Sequence, residues 1–336
     1  MKLLRKILFP IVPIYFIATW LRNKLYDYGL KKSTSYDFPV ICVGNLSVGG
    51  TGKTPMIEYL IRILRDSKKV ATLSRGYGRQ TKGFILADKT DNATTIGDEP
   101  YQFYRKFKDV LVAVDANRRR GIKELKSSTE TEVILLDDAF QHRKISSGLN
   151  ILLTSFENPY SSDMVLPTGD LREPKSGAKR ADVIVVTKCP EKLSENDKIT
   201  TTKKLGLVLN QKIFFSWITY DQYVYGQTSR DQLTSFRDQN VTVVTGIAKP
   251  ELFLRYLDSK IVEYKHIKYK DHHNFSKSEI DYLKQSETII TTEKDYVRLA
   301  SHFFDSTTNL YYLPIQFKID KDREFSNLIL NYVKSS

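Results

Sequence analysis

Residues 47–54 read Ser47-Val48-Gly49-Gly50-Thr51-Gly52-Lys53-Thr54, directly after the apolar run Val40-Ile41-Cys42-Val43. The stretch predicts a phosphate-binding loop between a strand and a helix. Gly49, Gly50 and Gly52 carry no Cβ, so successive backbone N–H groups can turn toward one anion. Lys53 is placed to reach β- and γ-phosphates, and the Thr54 hydroxyl to ligate Mg²⁺. The positive end of the following helix faces the same anion. The usual pattern has Gly at its first position, where this chain has Ser47. The context supports the loop nonetheless. A buried-strand pattern precedes it, and Met56, Ile57, Leu60, Ile61 and Leu64 follow at helical spacing. A merely flexible turn would not place Gly-Lys-Thr at a strand-to-helix junction.

Working outward, apolar runs recur at Val70–Leu73, Val110–Val114, Val133–Leu136, Ile151–Leu153 and Val183–Val186, with helical segments between them. That rhythm predicts an α/β fold with a mostly parallel sheet. Lys212–Tyr225 is aromatic and alternating, a hairpin or a connector. A second cycle follows: strands at Val241–Val244, Thr288–Thr291 and Leu310–Ile315, helices at Pro250–Leu257, Ser276–Lys284 and Asp295–Ser301. It predicts a smaller α/β domain from about residue 236. Ligands in such sheets bind beyond the strand C-termini.

The 336 residues carry a net charge of +13, which points to an anionic partner. No interleaved aromatic platform or zinc-finger spacing supports nucleic acid as that partner. Two cysteines, Cys42 and Cys189, give neither a metal cluster nor a disulfide framework. Ile7–Leu21 is uncharged, and residues 1–35 hold seven basic side chains against one acid, Asp27. As a helix, 15 residues would span roughly 22 Å, short of a ~30 Å hydrocarbon core. Pro10 and Pro13 interrupt it, while Tyr15, Trp20, Tyr26 and Tyr28 suit a headgroup interface. The expected role is a membrane-surface anchor. A core-covering helix and a signal peptide are the competing readings; no A-x-A-like site supports the latter.

Val133-Ile134-Leu135-Leu136 ends in Asp137-Asp138, where an acid can hold a phosphate-bound Mg²⁺. Asp98, in Gly97-Asp98-Glu99-Pro100, reads either as a helix-start acid or as a reactive one. Asp271-His272-His273 reads as an acid/base pair, metal ligands or surface loop. Arg172 suits a phosphate or an ion pair. Arg118-Arg119-Arg120 with Lys123 and Lys126 reads as a basic face, either a solvated helix start or a contact for phosphate or anionic lipid. Thr187-Lys188-Cys189-Pro190 has Pro where guanine-binding loops have Asp, which favours ATP.

Taken together, these strings resemble the tetraacyldisaccharide 4′-kinases, the lipid A 4′-kinases of Gram-negative bacteria. The collinear matches are Val43–Pro55, Ser74-Arg75-Gly76-Tyr77-Gly78, Gly97–Pro100, Asp137–His142, Gly169–Pro174, Asp271–His273 and Thr292-Glu293-Lys294-Asp295. Ser47 is a feature of that family. Ala139 and Asp170 depart from its usual Gly and Pro. The resemblance implies transfer of the γ-phosphoryl of ATP, with Mg²⁺, to the 4′-hydroxyl of a lipid A disaccharide 1-phosphate precursor, giving lipid IV-A. It implies a place on the cytoplasmic face of the inner membrane; the expected state is a monomer. It also implies a membrane-associated segment over 1–35, a P-loop kinase domain over 36–210, a two-stranded linker over 211–235 and a smaller α/β domain over 236–336. Asp98 becomes the general base, paired with His272. Arg172 stabilises charge at the γ-phosphate and Glu173 orients it. Ser47–Thr54, Tyr77 and Glu173 lie near nucleotide, and Thr54, Asp137 and Asp138 near metal.

Overall fold

The computed structural model describes residue 5 and residues 7–261, 263–271 and 273–336. The chain opens with helix α1 (Val12–Asp27). The strand–helix alternation then begins: β1 (Val40–Asn45), α2 (Lys53–Leu64), β2 (Val70–Ser74), β3 (Ile85–Leu86), α3 (Asp98–Lys106), β4 (Leu111–Val114), α4 (Arg118–Ser128), β5 (Val133–Asp137), β6 (Leu149–Ser155), β7 (Val183–Thr187), α5 (Glu195–Leu205) and β8 (Lys212–Tyr220). A second run follows: β9 (Tyr223–Tyr225), β10 (Arg230–Gln232), β11 (Val241–Thr245), α6 (Glu251–Asp258), β12 (Lys265–Lys268), α7 (Lys277–Leu283), β13 (Thr288–Thr292), α8 (Glu293–Leu299) and β14 (Asn309–Leu313). The chain closes with β15 (Ile315–Ile319) and α9 (Asp322–Ser335).

Among the described residues these strands form two sheets. The larger has the order β15-β8-β7-β6-β1-β5-β2-β4-β3, the smaller β10-β9-β14-β13-β11-β12. In the larger, only β3 and β15 run antiparallel to their neighbours. In the smaller, β11 to β14 are parallel. Continuous apolar strands follow from burial on both faces. In β1, Ile41 and Val43 join the core beneath α2 and α9, while Val40 and Cys42 join the core beneath α4. The helical positions read after residue 53 all point inward: Met56, Ile57, Leu60, Ile61 and Leu64 are fully buried.

Two details differ from the expected organisation. Leu310–Ile315 is not one strand. Pro314 separates β14 in the smaller sheet from β15 in the larger one, since proline cannot donate to a ladder. The return is stable because Phe317, Ile319, Phe325, Ile329 and Val333 fill the core under α2. Residues 315–336 therefore pack with the first unit, although they lie inside the range 236–336. Likewise β8 and β9, read together as Lys212–Tyr225, do not pair. The connection between units is β8 and β15, an antiparallel pair running from Ile315↔Tyr220 to Ile319↔Ser216.

Candidate active site

The loop after β1 turns sharply into α2. Gly49 has φ +106° and Gly52, the residue before the helix, φ +84°, conformations that side-chain-bearing residues rarely adopt. A Cβ at Gly49 or Gly50 would meet open space, so both leave the anion-facing side of the loop clear. Two braces hold the turn. The Thr187 hydroxyl at the end of β7 donates to the Thr51 carbonyl at 2.8 Å. The Val48 and Arg172 amides pair with the Asp170 and Leu46 carbonyls, each at 2.7 Å.

The loop opens onto a cleft of about 1670 Å³. Val48, Gly49, Gly50, Lys53, Tyr77, Asp98, Asp137, Asp138 and Arg172 all line it, as do Asp271, Lys294 and Arg298 from the smaller unit. Phosphate loop, acids and Arg172 thus converge, and the second unit forms the opposite wall. Tyr77 is 87% exposed on the rim. Ser47 bridges to Leu171 beneath the loop.

The two acids behind the loop are not equivalent. Asp137 ends β5 and is buried; Ser74 donates to its Oδ2 at 3.3 Å, while Oδ1 is buried without a partner. Burial, then the neighbouring Glu99, pushes its carboxyl well above the usual range. Asp138 follows with φ +48°, a backbone that Asp tolerates. It receives both Arg172 terminal nitrogens, at 2.9 and 3.2 Å, and lies 3.8 Å from Lys53. Against the cost of burial, Lys53 and Arg172 hold its carboxyl below the usual range. The Thr54 hydroxyl donates to Glu99 at 3.2 Å. Thr54, Glu99 and the orphaned Asp137 oxygen make a hard oxygen donor set. It fits Mg²⁺, which takes one or two carboxylates and completes its shell with phosphates and water. Among the described residues no group of three or more His, Cys, Asp or Glu forms a self-contained metal cage.

Asp98 opens α3, its carboxylate paired with Arg298 of α8. His272 lies outside the described residues. Its neighbour His273 is engaged elsewhere, stacked on Tyr269 and 3.0 Å from Glu279.

Two sequence expectations change. Glu173 does not line the cleft; it is buried, accepting from Asn23 of α1, Gln141 and Arg180. The three arginines do not form one basic face. Arg118 is 1% exposed and donates to the Asp115 and Asp137 carbonyls, and Arg120 is spent on Asp115 at 2.7 and 2.9 Å. Several cleft residues also went unassigned. Glu99 and Arg75 stood in quoted strings beside Asp98 and Tyr77; Arg298 carried no local signal.

The model of the tetraacyldisaccharide-1-P 4′-kinase family matches residues 4–334. A tetraacyldisaccharide 4′-kinase of Flavobacterium johnsoniae is 50% identical, over 100% of this chain and 99% of that protein. The Phocaeicola vulgatus tetraacyldisaccharide 4′-kinase is 40% identical over 99% and 96%. Among solved structures, LpxK from Aquifex aeolicus in complex with ATP superposes with a TM-score of 0.79 at 28% identity, covering 98% of this chain and 99% of that one. On matches spanning both chains end to end, and on a phosphate loop and paired acids that meet in one cleft, the chain belongs to the tetraacyldisaccharide-1-P 4′-kinase family.

Proposed function

We infer that this protein transfers the γ-phosphoryl group of ATP to the 4′-hydroxyl of a tetraacylated glucosamine disaccharide 1-phosphate, giving lipid IV-A. The observation that carries the reading is the convergence of Lys53, the Asp137–Asp138 pair and Asp98 on one cleft. In the step, the acceptor O–H proton passes to Asp98 as its oxygen bonds the γ-phosphorus, and the bond from that phosphorus to ADP breaks. The loop amides and Lys53 bind the phosphates. Thr54 and Asp137 would hold Mg²⁺, with Asp138 beside them, and the bound ion would neutralise charge on the phosphate oxygens. Arg172, fixed by Asp138 and Asn45, adds positive charge at the γ-phosphate. Glu173 supports this group from below through Gln141 and Arg180. A hydroxyl is a weak nucleophile, so a placed base and charge neutralisation both matter.

An acylated acceptor does not leave the bilayer freely, so the enzyme works at a membrane surface. We place it on the cytoplasmic face of the inner membrane, where ATP is supplied, attached through residues 1–35. The test is label transfer from γ-labelled ATP to a detergent-dispersed lipid A disaccharide 1-phosphate. Label enters the lipid with the native enzyme, and falls at least about 100-fold with Lys53→Ala or Asp98→Ala. Label released only as free phosphate, indifferent to lipid, would identify a membrane-surface ATPase instead.

A further inference from the structure

The Thr292-Glu293-Lys294-Asp295 string has no part in the mechanism so far, yet the structure places it against the reacting groups. It joins β13 to α8. The Thr292 hydroxyl accepts from the Asp295 amide at 3.2 Å and donates to Asp295 Oδ2 at 2.6 Å. The Gly246 amide, just past β11, donates to the same oxygen at 2.8 Å. Asp295 is fully buried, so it is tied to the ends of two neighbouring strands. One helical turn on, Arg298 Nη1 lies 3.6 Å from Asp295 Oδ1. Its other terminal nitrogen donates to Asp98 Oδ2 across the cleft wall. The same short helix meets α3 twice more, through Lys294 at 4.0 Å from Glu99 and Glu293 at 2.6 Å from Lys106.

We propose that Arg298 is a positioning residue for phosphoryl transfer: held by Asp295, it fixes the Asp98 carboxylate through Oδ2 and so sets its orientation toward the acceptor hydroxyl. The proposal rests on the reading of Asp98 as general base. Misplacing a reacting group by about 1 Å can cost on the order of 100-fold, so a contact that fixes the Asp98 carboxylate bears directly on the rate. The guanidinium suits this task because its planar fork reaches two carboxylates at once. The second unit thereby contributes to a site whose phosphate-binding half belongs entirely to the first.

The test is a double-mutant cycle on the full-length enzyme with detergent-dispersed lipid A disaccharide 1-phosphate. It compares wild type, Arg298→Met, Asp98→Asn and the double variant, with Arg298→Lys for partial rescue. If Arg298 acts through Asp98, Arg298→Met lowers kcat about 10- to 100-fold. The KM for ATP then stays within about twofold, and the double variant is no slower than Asp98→Asn alone. Asp295→Asn, which keeps the shape but weakens the hold on Arg298, gives a smaller loss of the same kind. Thermal unfolding midpoints separate these effects from misfolding. Losses that multiply in the double variant would mean that Arg298 acts independently of Asp98, and would overturn the proposal. So would a normal kcat for Arg298→Met while Asp98→Asn is slow. Normal turnover of Asp98→Asn would remove the general-base reading itself, and this proposal with it.

Discussion

His142 shows how a single side chain reports the charge of its surroundings. It lines the cleft at the end of the Asp137–His142 string. Burial first, then the nearby Arg118, Arg75 and Arg22, pushes its pKa down to about 4 against the opposing pull of Asp138. The imidazole is therefore neutral at physiological pH. The folded protein takes up this proton only near pH 4, whereas the unfolded chain takes it up near the ordinary value of about 6.5. Stability is lost as pH falls from about 6.5 toward 4, because the unfolded state binds the proton first. His142→Gln removes that contribution. Its urea midpoint should fall less than that of the native protein between pH 7 and pH 5; an equal fall would show that other groups carry the acid sensitivity. Arg118 makes the complementary point about legibility. Three adjacent arginines on one helix read as a basic face, but consecutive helical positions point in different directions. Arg118 consequently goes into the core and Arg120 to Asp115, an outcome that no run of letters displays.

At the level of elements, three helices meet on one ammonium group. Lys106 of α3 lies 2.7 Å from Glu58 of α2 and 2.6 Å from Glu293 of α8. Gln102 adds a bond to Glu58 at 2.9 Å. Burial opposes the Lys106 charge, but the two carboxylates outweigh it and raise the pKa. One ammonium thus ties the phosphate-loop helix, the Asp98 helix and the Arg298 helix together. Lys106→Met keeps the length and removes the charge, leaving two buried carboxylates facing each other. Breaking such a site is expected to destabilise the fold by roughly 3–5 kcal/mol. Adding Glu293→Gln to that variant should recover part of the loss, since it relieves the like-charge contact. Chemical denaturation of the two variants is the check; a double variant no more stable than the single one would refute the charge argument. Glu293 stood in a quoted string without a role and Glu58 and Lys106 in none, because the three are far apart in the chain and nothing local displays their meeting. The phosphate loop and the acids at the end of β5 were legible because their chemistry is written in contiguous residues.

Across the whole molecule, strand existence was legible and strand destination was not. The apolar runs at Val40, Val70, Val133 and Val183 became the centre of the larger sheet. Which sheet β15 would join depended on distant partners, with only Pro314 hinting at a break. The N-terminal segment combines both lessons. Its inner side is fastened to the loops beside the cleft. Tyr15 donates to the Arg172 carbonyl at 2.9 Å, Asn23 to Glu173, and Arg143 to Asp27 at 2.8 Å. Its outer side leaves Ile7, Phe9, Ile14, Phe16, Ile17 and Trp20 exposed. Among the described residues no helix is long and apolar enough to cross a membrane. A polar inner face, an exposed apolar outer face and flanking basic residues together suit a helix lying in a headgroup layer. Replacing Ile14 and Ile17 with Asp leaves the polar fastenings untouched, so the protein should keep its unfolding midpoint. Each buried isoleucine contributes about 1.5–3 kcal/mol of transfer free energy, so the pair together should weaken partition into anionic vesicles at least about 100-fold. Flotation with such vesicles measures this directly. Retained vesicle binding in the double variant would mean that basic residues alone hold the protein at the surface, and that the exposed apolar face serves some contact other than lipid.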